Sequence, residues 1–219
     1  MAATSRSSGA ARAGDIRVDL LLIAGMVTPG SRVLDVGCGD GALLEYLAKN
    51  KAVDARGIEI GQDGVNACVA RGLAVIQGDA DTDLRNYPSG AFDFVILSQT
   101  LQATRNPREV LLELLRIGRH AIVSFPNFGY WKVRLSLLWH GRMPLTAAIS
   151  QPWFETPNSH FCTIKDFVSL CGDLGITVEN RFSVDGYGQK GLLGSSGLFA
   201  NLLAEQSVFL LRKNGKPGA

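Results

Sequence analysis

The chain has 219 residues, enough for one domain with a sizeable core. Its 22 Lys and Arg against 20 Asp and Glu leave a formal charge of +2 and form no basic run, a balance that argues against nucleic acid and membrane surfaces as partners. The four cysteines, Cys38, Cys68, Cys162 and Cys171, lack CxxC or zinc-ligand spacing, so they read as reduced thiols in a cytoplasm and no metal site is expected.

Residues 1–14 ("MAATSRSSGAARAG") are small, polar and lightly basic, without the apolar segment of a secretory signal, and are expected to form a flexible tail, as are residues 214–219. "VDLLLIAGMV" from Val18 is shorter than the roughly 20 apolar residues a bilayer span needs. It reads as a helix lying on a core and stopped at Thr28-Pro29-Gly30. From there strand-like and helix-like periods alternate, the pattern of an α/β chain with a mostly parallel, twisted, Rossmann-like sheet and helices on both faces.

Residues 33–36 read as the first strand and 42–50 as its helix; 55–60 are the second strand, followed by a helix over 62–71. "LAVIQGDA" from Leu73 is the third strand, and "FDFVILSQTL" from Phe92 the fourth, whose continuous apolar centre implies burial on both faces. "NPREVLLELLRI" from Asn106 opens with an Asn cap and Pro at the first helical position. "HAIVSFP" from His120 is a fifth strand. "ITVENRFSV" from Ile176 and "SVFLLRK" from Ser207 are two more, with "GLFANLLAEQ" between them as helix or turn. One domain is expected over residues 15–213.

"VLDVGCGDG", residues 33–41, falls at the turn from the first strand into the first sheet helix, at the carboxyl end of the strands where ligands of open α/β sheets collect. Gly37, Gly39 and Gly41 let a ligand approach the backbone, and the helix that follows aims free N–H groups at it. A bare tight turn is the bland alternative. Gly37, Gly39 and Ala42 also satisfy the dinucleotide pattern GxGxxA, with acidic Glu59 about 20 residues further on, so a nicotinamide dehydrogenase is a competitor. Asp35 argues against it, because a carboxylate just before the first glycine suits a ligand carrying positive charge rather than a pyrophosphate. Asp79 ends the third strand and is placed either to accept from an adenine amino group or to cap a helix. Glu59 offers paired oxygens to two ribose hydroxyls.

In this order and spacing the residues resemble the class I S-adenosylmethionine-dependent methyltransferases, whose DxGxGxG stands here as Asp35, Gly37, Gly39 and Gly41. That resemblance implies a cofactor-binding role for these positions and for Cys38, Glu59, Ile60, Asp79, Ala80, Ser98 and Gln99, with S-adenosyl-L-methionine or S-adenosyl-L-homocysteine as the ligand. The segments "FDFVILSQTLQATRNPREVLLELLRIGRHAIVSFPNFGYWKVR", "QPWFETPNSHFCTIKDF" and "NLLAEQSVFLLRK" are similar, more narrowly, to the MetW family of methionine biosynthesis proteins over residues 15–213. This implies a partner and activator of homoserine O-acyltransferase, the α/β-hydrolase-fold enzyme usually called MetX. Amino-methylating relatives carry [NDS]-P-P-[YF] after the fourth strand, where this chain has "SQTLQ". Two functions of different class follow: a ligand-binding activator, or an enzyme methylating an unknown small acceptor.

For the second function a general base is needed, and the chain has three histidines. His120 opens a strand and reads as structural; His140 and His160 lie on the long connection after the fifth strand, and His160 is the catalytic candidate, beside its reading as a hydrogen-bonding loop residue. Cys162 has no basic cluster to lower its pKa and is not taken as a nucleophile. Residues 127–163 hold all three tryptophans with Phe128, Tyr130, Phe154 and Phe161, so they are core, substrate cover or partner surface. "YWKVRLSLLWHGRMP" reads as an amphipathic helix with Lys132, Arg134 and Arg142 on one side, and part of the segment is expected to dock a protein.

Overall fold

Strands whose successive residues are all apolar need cover on both faces, and the computed structural model, describing residues 17–184 and 197–214, supplies it. In chain order the sheet elements begin with helix α1 (Val18–Met26), β1 (Arg32–Val36), α2 (Ala42–Lys51), β2 (Asp54–Glu59), α3 (Gln62–Ala70) and β3 (Ala74–Gln77). They continue with β4 (Phe92–Ser98), α4 (Pro107–Ile117), β5 (Gly118–Pro126), α5 (Trp131–His140), α6 (Ile164–Asp173), β6 (Ile176–Val184), α7 (Gly197–Leu203) and β7 (Gln206–Lys213). Among the described residues no helix is long and apolar enough to cross a membrane. The expected tails lie outside the described residues, Asn214 excepted.

The strands form one sheet in the order β3-β2-β1-β4-β5-β7-β6. β3, β2, β1, β4 and β5 are parallel, whereas β7 runs antiparallel to both β5 and β6. Odd and even positions divide between two cores. Val33, Phe94, Ile96 and Ile122 pack with Ile23 of α1 and Leu43 and Leu47 of α2. Leu34, Val36, Val95 and Leu97 pack with Leu111 and Leu114 of α4, Phe167 of α6 and Phe209 of β7. Phe125, Phe167 and Phe209 form a triangle with ring centroids 4.7 to 5.6 Å apart.

Several expected boundaries shift for identifiable reasons. β4 ends at Ser98 rather than running on to Leu101: Gln99 adopts φ +54°, turning the chain, while its N–H donates to the Ser124 carbonyl at 2.8 Å. β3 is an edge strand of four residues, and Gly78-Asp79-Ala80 leave the sheet. Asn106 precedes α4 with Pro107 at its start as expected, but the Asn side chain makes no cap bond; its own N–H and that of Arg105 donate to the Asp81 carboxylate instead. The helix after β5 stops at His140 because Gly141 turns left-handed at φ +59°, so Arg142 lies beyond it, and only Val133 of this helix is buried. α6 was not anticipated. It begins with a capping box in which the Thr163 hydroxyl accepts from the Asp166 N–H while the Asp166 carboxylate accepts from the Thr163 N–H.

Candidate functional site

The strand order reverses at β1, so the carboxyl ends of β1 and β4 open into a crevice of about 320 Å³. Its lining includes Arg17, Asp35, Gly37, Cys38, Gly39 and Ser98. The loop leaving β1 is held in an unusual shape by three left-handed residues, Gly37 (φ +73°), Gly39 (φ +56°) and Gly41 (φ +79°). Gly37 has a second constraint: a Cβ there would stand 2.6 Å from the Thr100 hydroxyl oxygen. The N–H groups of Gly37 and Cys38 both donate to the Ile58 carbonyl, fastening the loop to β2.

Asp35 is 3 % exposed, and its Oδ1 is buried without a hydrogen-bond partner among the described residues. Burial, reinforced by the nearby Glu59 charge and opposed by Arg17, pushes its carboxyl up to about 7. A buried carboxylate oxygen with no donor is costly. A ligand bringing a cation and N–H donors removes that cost, and Asp35 lines the space such a ligand would enter. Arg17 faces the same space. Its guanidinium pairs with the buried Asp19 carboxylate at 2.8 and 3.1 Å and reaches the Ser98 hydroxyl at 3.5 Å. An arginine beside an aspartate complements a zwitterion, one partner for a carboxylate and the other for an ammonium group. Nothing in the sequence motif reveals Arg17; it reaches the crevice only because α1 packs across the sheet.

The other expected residues divide into distinct surroundings. Glu59 already holds the loop, its two oxygens accepting from the N–H groups of Gly39 at 2.7 Å and Gly61 at 2.9 Å, so each retains one further lone pair. Ile60, just past β2, has 65 % of its surface open. Asp79 accepts from the Asp81 N–H at 2.8 Å and from the Arg105 guanidinium at 2.5 Å, closing a turn rather than capping a helix. Ala80 packs on the larger core. The Gln99 amide donates to Asp19, which Gln206 also reaches, tying the crevice lip to α1 and β7. The Cys38 Sγ lies 4.0 Å from that of Cys68 beneath the loop; all four cysteines are free, and burial above all pushes the Cys38 thiol up.

None of the three histidines lines this crevice. His120 stacks on Phe94 with centroids 5.3 Å apart and lies 3.3 Å from Glu179. His140 ends α5. His160 borders a separate, largely apolar pocket of about 190 Å³ with Gln102, Cys162 and Phe167, and its Nδ1 pairs with the Ser159 hydroxyl at 3.1 Å.

Sheet order, antiparallel β7 and glycine loop together are those of the class I S-adenosylmethionine-dependent methyltransferase fold. A TehB-like S-adenosylmethionine-dependent methyltransferase from Corynebacterium glutamicum shares the fold at a TM-score of 0.59 and 19% identity, over 91% of this chain and 89% of that one. SpnF, a 4+2 cyclase, shares it at a TM-score of 0.60 and 19% identity over 90% and 80% of the two chains. The chain belongs to the family described as methionine biosynthesis protein MetW, which it matches over residues 17–211. It is 38% identical over 175 residues to the bifunctional methionine biosynthesis protein MetXA/MetW of Rhodopirellula baltica. That match covers 76% of this chain but 28% of the relative's length.

Proposed function

We propose that the crevice binds S-adenosylmethionine or S-adenosylhomocysteine, and that the chain acts as partner and activator of a homoserine O-acyltransferase. The observation that carries the ligand reading is the orphaned, nine-tenths-buried Asp35 oxygen facing Arg17 across a glycine cradle. In this reading Asp35 accepts from the ammonium group of the amino-acid moiety and Arg17 meets its carboxylate. The backbone of Gly37, Cys38, Gly39 and Gly41 gives the close approach. Glu59 accepts from the ribose hydroxyls with its remaining lone pairs, and Ile60 offers an open apolar surface to the adenine ring, flanked by Asp79 and Ala80. Ser98 and Gln99 form the opposite lip. S-adenosylmethionine, when bound, would supply a sulfonium methyl group, whereas S-adenosylhomocysteine, a thioether, carries none to transfer.

The fold alone does not fix methyl transfer as the outcome, since it also serves a protein named as a cyclase. Asp35, the buried carboxyl on the crevice, is taken in this reading by the ligand's ammonium group, and burial keeps the Cys38 thiol protonated, which favours holding the ligand over deprotonating an acceptor. The partner reading is supported by the relative that joins MetXA and MetW in one polypeptide, since fusion holds two domains at an effective concentration that favours their contact.

Purified acyltransferase, assayed for acyl transfer from acyl-CoA to homoserine with and without this chain and the ligand, tests the activator half: its rate rises on addition of the chain, and an unchanged rate overturns it. Calorimetry tests the crevice independently, with binding expected for S-adenosylmethionine and S-adenosylhomocysteine; tight NAD binding would return the assignment to a dehydrogenase.

A further inference from the structure

Residues 127–163 connect β5 to α6 outside the sheet and were open to three readings: core, crevice cover or partner surface. Core burial fails for most of their aromatics. Trp153 and Phe154 are 70 % and 67 % exposed, edge to face with centroids 5.8 Å apart, and Phe161 is 50 % exposed. Crevice cover fails as well, because no residue of this segment lines the crevice below β1 and β4. What the segment does build is a groove of its own, about 790 Å³, bordered by Phe128, Leu145, Pro152, Trp153, Phe154 and Phe161.

The groove is shaped by polar bonds at its base together with the packing of Phe128 on Phe161, whose ring centroids lie 4.4 Å apart. The Asn127 side chain spends both donors on the carbonyls of Asn201 and Ala204, and its oxygen accepts from Gly129 and Ile164, clamping both ends of the segment. The Gln102 carbonyl accepts from Ser159 and His160, and the Glu205 carboxylate accepts from Ala148. Large apolar rings fixed outward in this way keep the hydrophobic penalty unrelieved and pre-organise the surface for a partner. Among the described residues, Arg142 is the one charged residue bordering the groove.

We infer that this groove is the docking site for the homoserine O-acyltransferase, which enters it with an apolar ridge carrying a carboxylate that meets Arg142. This rests on the partner reading above, and the committed occupant comes from the fused relative. The charge follows from Arg142, and the apolar ridge from the exposed rings of Trp153, Phe154 and Phe161; Trp153 and Arg142 are of the residue types that dominate interface energies.

The test is a titration of purified acyltransferase into the wild-type chain, Trp153→Ser/Phe154→Ser and Arg142→Glu, followed by sedimentation velocity. S-adenosylmethionine calorimetry on each variant reports whether the fold survives. The expected result is a Kd raised about 100-fold for the double variant and about tenfold for Arg142→Glu, with activation lost in parallel and ligand affinity unchanged. Arg142→Glu keeps the inference testable should the double variant misfold. A wild-type chain that forms no complex overturns the partner reading itself. A wild-type complex that both variants retain at unchanged Kd overturns the groove alone, as does a wild-type chain that self-associates through Trp153 while the heteromeric complex is untouched.

Discussion

Asp35 lies buried in the crevice wall, and its surroundings set how the free protein responds to pH. Its usual value of 3.8 rises to about 7 because burial, and then the charge of Glu59, disfavour ionisation. The folded chain therefore holds this proton more tightly than the unfolded chain does. Stability from it is fully present below about pH 4 and is lost as pH rises through about 7. Asp35→Asn keeps the shape without the charge, so urea titrations of the free protein are expected to lose that slope, with the variant more stable by on the order of 2 kcal/mol at about pH 8. A cationic ligand reverses the sense, since it binds the ionised form: affinity climbs with pH up to about 7 and then levels, and Asp35→Asn weakens binding by about 100-fold in calorimetry. The motif made this aspartate legible in the sequence. Arg17 was not legible, because a lone arginine ahead of a helix acquires its meaning only from where that helix packs. Gly37 separates strain from clash. Gly37→Ala is expected to cost about 2 kcal/mol in denaturation experiments and to abolish ligand binding, whereas adding Thr100→Ala recovers only the part due to the 2.6 Å contact and leaves the cost of φ +73°.

Among the elements, the strands were the most readable, since β1, β4 and β5 are short, rich in β-branched residues and apolar on both faces, as strands of a doubly covered sheet are. Direction was not readable in the same way. The period of β6 and β7 is the same whether they pair parallel or antiparallel, so the residue pattern alone does not set their direction. α6 carried a readable signal, Thr163 and Asp166 at capping-box spacing, obscured by the aromatic segment running into it. That segment depends on Asn127, whose amide uses every donor and acceptor it has. Asn127→Ala is expected to destabilise it by about 3 kcal/mol, leaving buried carbonyls and N–H groups unpaired. All three tryptophans, Trp131, Trp139 and Trp153, lie within residues 127–163, so their fluorescence reports this segment and far-ultraviolet dichroism the sheet. In the variant the fluorescence transition should precede the dichroism transition in urea; coincident transitions would show that the clamp serves the whole fold instead.

At the scale of the molecule, one stretch of chain joins crevice and groove, the lever on which any coupling between them would act. Ser98 lines the crevice, Thr100 abuts Gly37, and the turn at Leu101–Ala103 then presents the Gln102 carbonyl to Ser159 and His160 beside Phe161. A ligand that favours one setting of this turn changes partner affinity, and the partner must change ligand affinity by the same factor. Titrating the partner with and without S-adenosylmethionine, and the ligand with and without the partner, is expected to return equal factors within the usual range of about 5- to 150-fold. Two factors of one would mean that the lever carries nothing. The position of β7 has a consequence of another kind. It is the last strand in the chain order and yet lies inside the sheet, between β5 and β6. Until residue 213 has cleared the ribosome, β5 shows an unpaired edge and β6 has no neighbour at all. Between the synthesis of β5 and that of β7 the nascent chain therefore carries an open apolar seam, a window of about eighty residues in which it is exposed to mispairing and to capture by chaperones.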